Sequence, residues 1–423
     1  MSSTARIDGA LKMPSLGPDV TAVFSGGWSA AYDWVADRVV TEGAPTRIPL
    51  PAPFDRDLAG ALPGQGGFAA FHYVFKDDRY LRLNASDSLP DGSPPADIAS
   101  NWDLPPGWTW VDAVFAGGGV KSRFAYFFQV DEYNRFDWTT NARSPNYPKQ
   151  FAPNWHATGP FTAGIDGEIP GQRSFSTKAY LFRIGRTVVD DEGHPIAPGL
   201  GRTVFAPIYA RYDYNTETFE FTVTDPFEVV TQWRGLLPLL DAGPATDVAL
   251  DWVARTLTAL AGPLTPALAT AFRNHFAMTE TTIDVATVKA RLEEIQTRLN
   301  AIPDRFQWTP GMRKAARTRQ DTLTEVGDMF STLHGPNGRA AVLIHEAVHF
   351  TFGADTDVPE WSGATIGDNT FGIATDPDTG ASLGAYADLS TAAALTNPSS
   401  YAAFAQEVAL GSDTRFGAGR PQE

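Results

Sequence analysis

Hydrophobic positions divide the chain into two textures. Up to about residue 235 they come in short aromatic runs such as "FAAFHYVFKDDRYLRL" and "FAYFFQVDEYNRFD", separated by Gly, Pro and Asp. Such runs predict short strands joined by tight turns, because large flat side chains pack well on a pleated surface. From residue 246 apolar residues recur every three or four positions: Val248, Trp252, Val253, Leu257 and Leu260, then Val288, Leu292, Ile295 and Leu299. That spacing predicts amphipathic helices over 246–261 and 284–302, the second stopped by Pro303. A further helix is predicted through "GMRKAARTRQDTLTEVGDMF", making the second half mainly α, with room for a short strand or two.

The strand-rich half repeats itself. Phe75, Asp78, Tyr80 and Arg82 recur as Phe128, Asp131, Tyr133 and Arg135 at one constant offset, which Trp102 and Trp155 share. A third copy starts at "KAYLFRIGR" and runs, after an insertion, to Trp233; a fourth and more degraded one is "AVFSGGWSAAYDW". A period of about fifty residues built from short strands is the mark of propeller blades, each of which must lean on its neighbours to bury both faces. The recurring Tyr and Arg positions read as packing within such units.

These units resemble hemopexin-like repeats, and the resemblance implies a four-bladed β-propeller over the first 235 residues or so. The expected organisation is a flexible leader over 1–16, the hemopexin-like propeller over 17–237 and a second domain over 238–423. Nothing in the repeats selects a ligand for the propeller.

Composition narrows the partners. With 33 Lys and Arg against 49 Asp and Glu, the formal charge of −16 opposes a polyanion and argues against nucleic acid. The absence of cysteine rules out disulfides and leaves nitrogen and oxygen ligands for any metal. No stretch of 18 or more apolar residues is present, so no transmembrane segment is expected. The opening residues lack the basic start and apolar run of a secretory signal. The expectation is synthesis in the cytoplasm, with secretion or injection by a non-classical route if the protein works outside the cell.

The chemistry-bearing stretch is "RAAVLIHEAVHFTFG". A four-residue step along a helix returns to the same face, so His345 and His349 can reach one Zn2+ ion, with Glu346 beside them as general base. The competing reading is an ordinary buried helix that carries HExxH by chance. A catalytic zinc needs a third protein ligand, and no histidine follows His349. Asp355, Asp357 and Glu360 lie just downstream, and a later Glu is a further option.

The block from Arg339 through "TDVPEW" to "NPSSYAAFA" resembles the aspzincin metallopeptidases, the group of deuterolysins and lysine-specific metalloendopeptidases. The resemblance implies a zincin-like, mainly α metallopeptidase domain that hydrolyses protein or peptide substrates, with lysine preference after the cut. It makes His345 and His349 zinc ligands, Glu346 the base, and Asp357 the match for the third ligand, with Glu360 the alternative. The family's oxyanion-binding Tyr, three residues after that Asp, is Glu360 here, which leaves Tyr386 and Tyr401 as candidate donors. Asn397 and Pro398 also read simply as a helix cap. The combined expectation is a zinc endopeptidase with a propeller exosite, in the setting of a bacterial toxin or effector. The rival is a binding propeller for haem, glycan or protein with an inactive peptidase-like domain.

Overall fold

The computed structural model describes residues 6–13, 16–40, 45–189, 202–301, 306–312, 315–319, 323–332, 336–352, 373–375, 382–385 and 390–411. Its N-terminal region is mostly β and folds as four antiparallel units. The first unit comprises β1 (Gly9–Lys12), β2 (Val20–Ser25), β3 (Trp28–Asp33) and β4 (Arg38–Val39), with β5 (Thr46–Arg47) also on β3. The second has β6 (Gly60–Pro63), β7 (Phe71–Lys76), β8 (Arg79–Asn84) and β9 (Ala96–Asp97), followed by α1 (Ile98–Asn101). The third has β10 (Ala113–Ala116), β11 (Phe124–Gln129), β12 (Glu132–Asp137) and β13 (Ala142–Arg143), then β14 (Lys149–Gln150), which pairs with β12, and α2 (Phe151–Trp155). The fourth has β15 (Gly167–Pro170), β16 (Lys178–Val189), β17 (Arg202–Asp213) and β18 (Thr218–Val223), then α3 (Pro226–Gln232).

One register governs all four. Gly9, Gly60, Ala113 and Gly167 on the first strands face Phe24, Phe75, Phe128 and Phe182 on the second. First strands of successive units adjoin: β1 lies beside β6, β6 beside β10, β10 beside β15, and β15 beside β1. The approach is close enough that a Cβ on Gly60, whose φ is +145°, would stand 2.7 Å from the Val114 carbonyl oxygen, so glycine is required there. The first strand differs from expectation, since Ile7–Leu11, placed in a leader by the sequence, are buried and Gly9–Lys12 form a strand. Ile7, Ala10 and Leu11 are buried, because the first unit lacks an inner strand without them.

Each seam between units has its own apolar cluster. Leu11, Phe24, Phe54 and Val74 fill the first; Leu62, Phe75, Trp102 and Phe127 the second; Phe115, Trp155, Leu181 and Tyr214 the third. Trp102 and Trp155, matched in the sequence, are matched here as buried rings at the ends of α1 and α2. The fourth seam, with Tyr32, Ile169 and Phe182, continues without a break into the core of the helical half.

The C-terminal region contains α4 (Leu236–Ala261), α5 (Pro266–Phe276), α6 (Val285–Ala301), β19 (Phe306–Trp308), β20 (Ala316–Arg319), β21 (Leu323–Val326), α7 (Met329–Thr332), α8 (Pro336–Phe352), β22 (Ile373–Thr375), β23 (Ser382–Ala385), α9 (Thr391–Ala394) and α10 (Pro398–Leu410). The expected stripes on α4 and α6 are present: Trp252, Val253 and Leu260, then Val288, Leu292, Ile295 and Leu299, are buried. Helix α4 begins at Leu236, earlier than its periodicity indicated. Its extra turns bury Leu236, Leu237, Leu239 and Leu240, and carry Pro244 inside the helix. Gly243 lies where a Cβ would collide with Trp28 of the first unit, 2.4 Å from its ring. Asp247 then accepts a hydrogen bond from Trp28 Nε1 at 2.9 Å and pairs with Arg47, whose guanidinium stacks 3.9 Å from the Trp28 ring centroid.

Among the described residues of 311–328 the expected helix is absent. In its place β19, β21 and β20 form a three-stranded sheet in that order, β19 parallel and β20 antiparallel to β21. The β-branched, alternating "TLTEV" and the flanking Gly311 and Gly327 favour strand over helix. No helix among the described residues is long and apolar enough to cross a membrane.

Candidate metal centre

Helix α8 packs against α4, α6 and α10 and carries β20 along its remaining side. Ala340 to Ile344, Ala347 and Val348 are buried, whereas His345 and His349 are only half-buried, so the two imidazoles are the accessible side chains of an enclosed stretch, 339–349, of the helix. Their Nε2 atoms are 3.2 Å apart. Two nitrogens bound tetrahedrally to one zinc at about 2.0–2.1 Å lie roughly 3.3 Å apart, so the pair fits the ion. The same two atoms can also share a single hydrogen bond, and the geometry is compatible with both. Among the described residues no cluster of three His, Asp or Glu side chains is assembled.

The side chains around the pair hold it in place. Ser399 Oγ is 3.3 Å from His345 Nδ1, the ring nitrogen that faces away from His349. A partner on the second nitrogen fixes a ligand histidine's tautomer and orientation. Glu346 is 6% exposed, and the Thr318 hydroxyl on β20 stands 2.7 Å from its Oε2 and 3.0 Å from its backbone carbonyl. Further back on α8, Arg339 forms an ion pair with Asp241 of α4, each 3% exposed. A buried ion pair of this kind fixes the register between two helices more than it stabilises them.

Of the residues expected in the site, the structure brings the His345 and His349 rings together, with Glu346 between them along the same helix and its carboxylate on Thr318. Asp357, Glu360 and Tyr386 lie outside the described residues, as does Asp355. Tyr401 is fully buried on α10; its hydroxyl donates to the Leu395 carbonyl at 2.8 Å, its ring meets Phe276, and burial raises its pKa. That is the environment of a packing residue. Asn397 caps α10 as read from the sequence, accepting from Ser399 N–H at 3.3 Å, with Pro398 in the first turn. Thr318 and Ser399 were not identified from sequence. Thr318 sat in a segment read as helix, and Ser399 is flanked by residues whose capping role accounts for "NPSS".

No protein-family model matches the chain, and no curated protein matches it. Solved structures similar to it include a hemopexin-fold protein from cow pea, at 16% identity over 54% of this chain and 96% of that one, with a TM-score of 0.38. A zinc peptidase from Grifola frondosa is similar at 16% identity over 40% of this chain and 93% of that one, with a TM-score of 0.29. A seed albumin from Lathyrus sativus is similar at 15% identity over 48% of this chain and 85% of that one, with a TM-score of 0.34. These likenesses are weak, and the reading of the site rests on its own geometry.

Proposed function

We propose that the protein is a zinc-dependent endopeptidase whose four β units form a hemopexin-like, four-bladed propeller fixed against the catalytic half. The observation that carries the reading is the 3.2 Å separation of the Nε2 atoms of two histidines, the accessible side chains of an enclosed stretch of helix, with a buried carboxylate between them in sequence. His345 and His349 would hold the ion, with Asp357 as the proposed third ligand and Glu360 the alternative. When bound, zinc supplies Lewis acidity toward a peptide carbonyl and makes a water acidic enough to react near neutral pH.

The chain's own residues do the rest. Glu346 accepts the proton of the attacking water and returns it to the leaving amine, the general acid and base work that a carboxylate at this position can perform. Thr318 holds that carboxylate, and Ser399 holds the His345 ring. Tyr386 is the proposed donor to the developing oxyanion, since the Tyr401 hydroxyl is engaged within the core. The acidic surface suits basic substrates, and lysine after the cut is the proposed preference.

The test is zinc content and peptide cleavage measured together. Wild-type protein is expected to carry close to one zinc per chain and to cleave casein or a peptide library in a chelator-sensitive way. A protein that binds no zinc and cleaves nothing would favour the binding-propeller reading instead.

A further inference from the structure

The second and third strands of every β unit form a hairpin, and three of the four hairpins end at one level. Beyond the equivalent pairs of Phe24 with Ser29, Phe75 with Tyr80 and Phe128 with Tyr133, each continues for a single pair: Ser25 with Trp28, Lys76 with Arg79 and Gln129 with Glu132. The fourth passes the equivalent pair, Phe182 with Tyr209, and the next, Arg183 with Ile208, and then runs on for six more, from Ile184 with Pro207 to Val189 with Arg202. At about 3.4 Å per residue this ribbon rises roughly 20 Å beyond the level at which its equivalents turn.

Strand β15 pairs with β16 only up to Phe182, and β18 with β17 only from Tyr209 onward. Among the described residues no strand adjoins either edge of the ribbon beyond that level. A lone two-stranded ribbon is marginally stable in water, and its edges present main-chain donors and acceptors in register for another strand. Each edge is stopped at its base. On β16 the outward N–H of Ile184 donates to the Asp166 carboxylate at 2.6 Å, as Gly26 and Val130 donate to Asp8 and Asp112 at the ends of their own hairpins. On β17 the residue opposite Ile184 is Pro207, which has no N–H. Above the base both edges are open. Main-chain groups alternate sides along a strand, so Arg186 and Val188 on β16, and their partners Phe205 and Thr203 on β17, turn theirs outward.

The setting of the ribbon points to its occupant. It rises from the fourth unit, and the adjoining first unit ends its hairpin at Trp28, against which α4 packs at Gly243 and Asp247. The ribbon thus projects from the end of the β units that α4 meets, and α4 in turn packs on α8. An endopeptidase works on extended chain, and extended chain is what a free strand edge accepts, through main-chain bonds that read no particular side chain. A second copy paired ribbon to ribbon is the competing occupant, but it would bring together two chains that each carry a formal charge of −16.

We propose that the ribbon of β16 and β17 is a docking arm that takes an unfolded polypeptide segment as an added strand and holds it beside the helical half. That this polypeptide is a substrate rests on the peptidase reading above; the strand addition does not.

The test is the anisotropy of fluorescein-labelled casein, an unfolded polypeptide, titrated with the full chain carrying Glu346→Gln so that the probe stays whole. Binding should saturate, and should weaken roughly tenfold or more when residues 184–207 are replaced by Gly-Gly, the turn that joins Ser25 to Trp28 in the first unit. That replacement still offers Asp166 an N–H at the place of Ile184, so the unit should fold. Val188→Pro with Phe205→Pro, which removes one outward N–H from each edge and keeps the ribbon's length, should weaken binding by a comparable factor. With Glu346 intact, the shortened hairpin should raise KM for casein and leave cleavage of a short peptide unchanged. Casein that fails to bind, binding unchanged by both replacements, or a ribbon-dependent dimer in sedimentation would each overturn the proposal. Casein held through the ribbon by a chain that carries no zinc and cuts nothing would remove the peptidase reading and leave the docking arm standing.

Discussion

The β half is built four times on one register, whereas every contact in the helical half is made once. In the first, Phe24, Phe75, Phe128 and Phe182 do the same work at equivalent positions, so a segment with other work to do stands out against its equivalents. The ribbon of β16 and β17 is visible in that way. In the second no equivalents exist, and function must be read from a motif and the contacts around it. The two halves nevertheless share one apolar core, from Ile7 and Tyr32 through Leu240 to Phe404, and are joined by the Trp28, Arg47 and Asp247 cluster. A seam of this kind would hold the four β units at a fixed angle to the HEAVH helix.

The largest expected effect tests the helical half. Glu346→Gln should keep zinc and lose roughly 10²–10⁴-fold in turnover, the range removed with a general acid or base; zinc content and initial rates measured together check it. Next is the buried pair. Arg339→Met alone should destabilise by about 3–5 kcal/mol because it removes the buried cation paired with Asp241, while Asp241→Leu with Arg339→Met should recover most of the loss. Denaturant titration of the single and double variants reads this directly.

The seam comes third. Trp28→Ala should cost about 3–5 kcal/mol and weaken both halves together. If calorimetry showed only the β half losing stability, the shared core would not couple them. Smaller is the pH effect of Glu168. Burial raises its folded pKa to about 8, above the ordinary 4.5, so between those values the folded chain keeps a proton that the unfolded chain has released. The contribution of Glu168 to stability is therefore greatest below 4.5 and is lost as pH rises toward about 8. Glu168→Gln should flatten part of that slope in denaturant midpoints, and Asp8, which burial also raises to about 8, should account for another part. Smallest is Asn397→Ala, which removes the α10 cap for about 1 kcal/mol.

Much of this was legible in the sequence for physical reasons. Aromatic strands at a fixed offset must pack alike, so the repeat exposed the β units and the paired Trp102 and Trp155. Three- and four-residue spacing exposed α4 and α6, and HEAVH exposed the histidine pair. What escaped was set by tertiary contact. The turns of α4 before Val248 run through Gly243 and Pro244, and are held by burial against Trp28 rather than by propensity. Residues 316–319 and 323–326 form strands because they pair with each other and lie along β19 and α8, which charged and polar side chains in a helical-looking run conceal. Thr318 and Ser399 reach the site from elements far apart in sequence, and no local spacing announces such a contact.

The most direct measurement is anomalous X-ray scattering at the zinc edge from crystals of the unaltered protein. A single strong peak within coordination distance of both His345 Nε2 and His349 Nε2 is the predicted result. Crystals grown or soaked with zinc that show ordered imidazoles hydrogen-bonded to each other, and no peak beside them, would contradict the account.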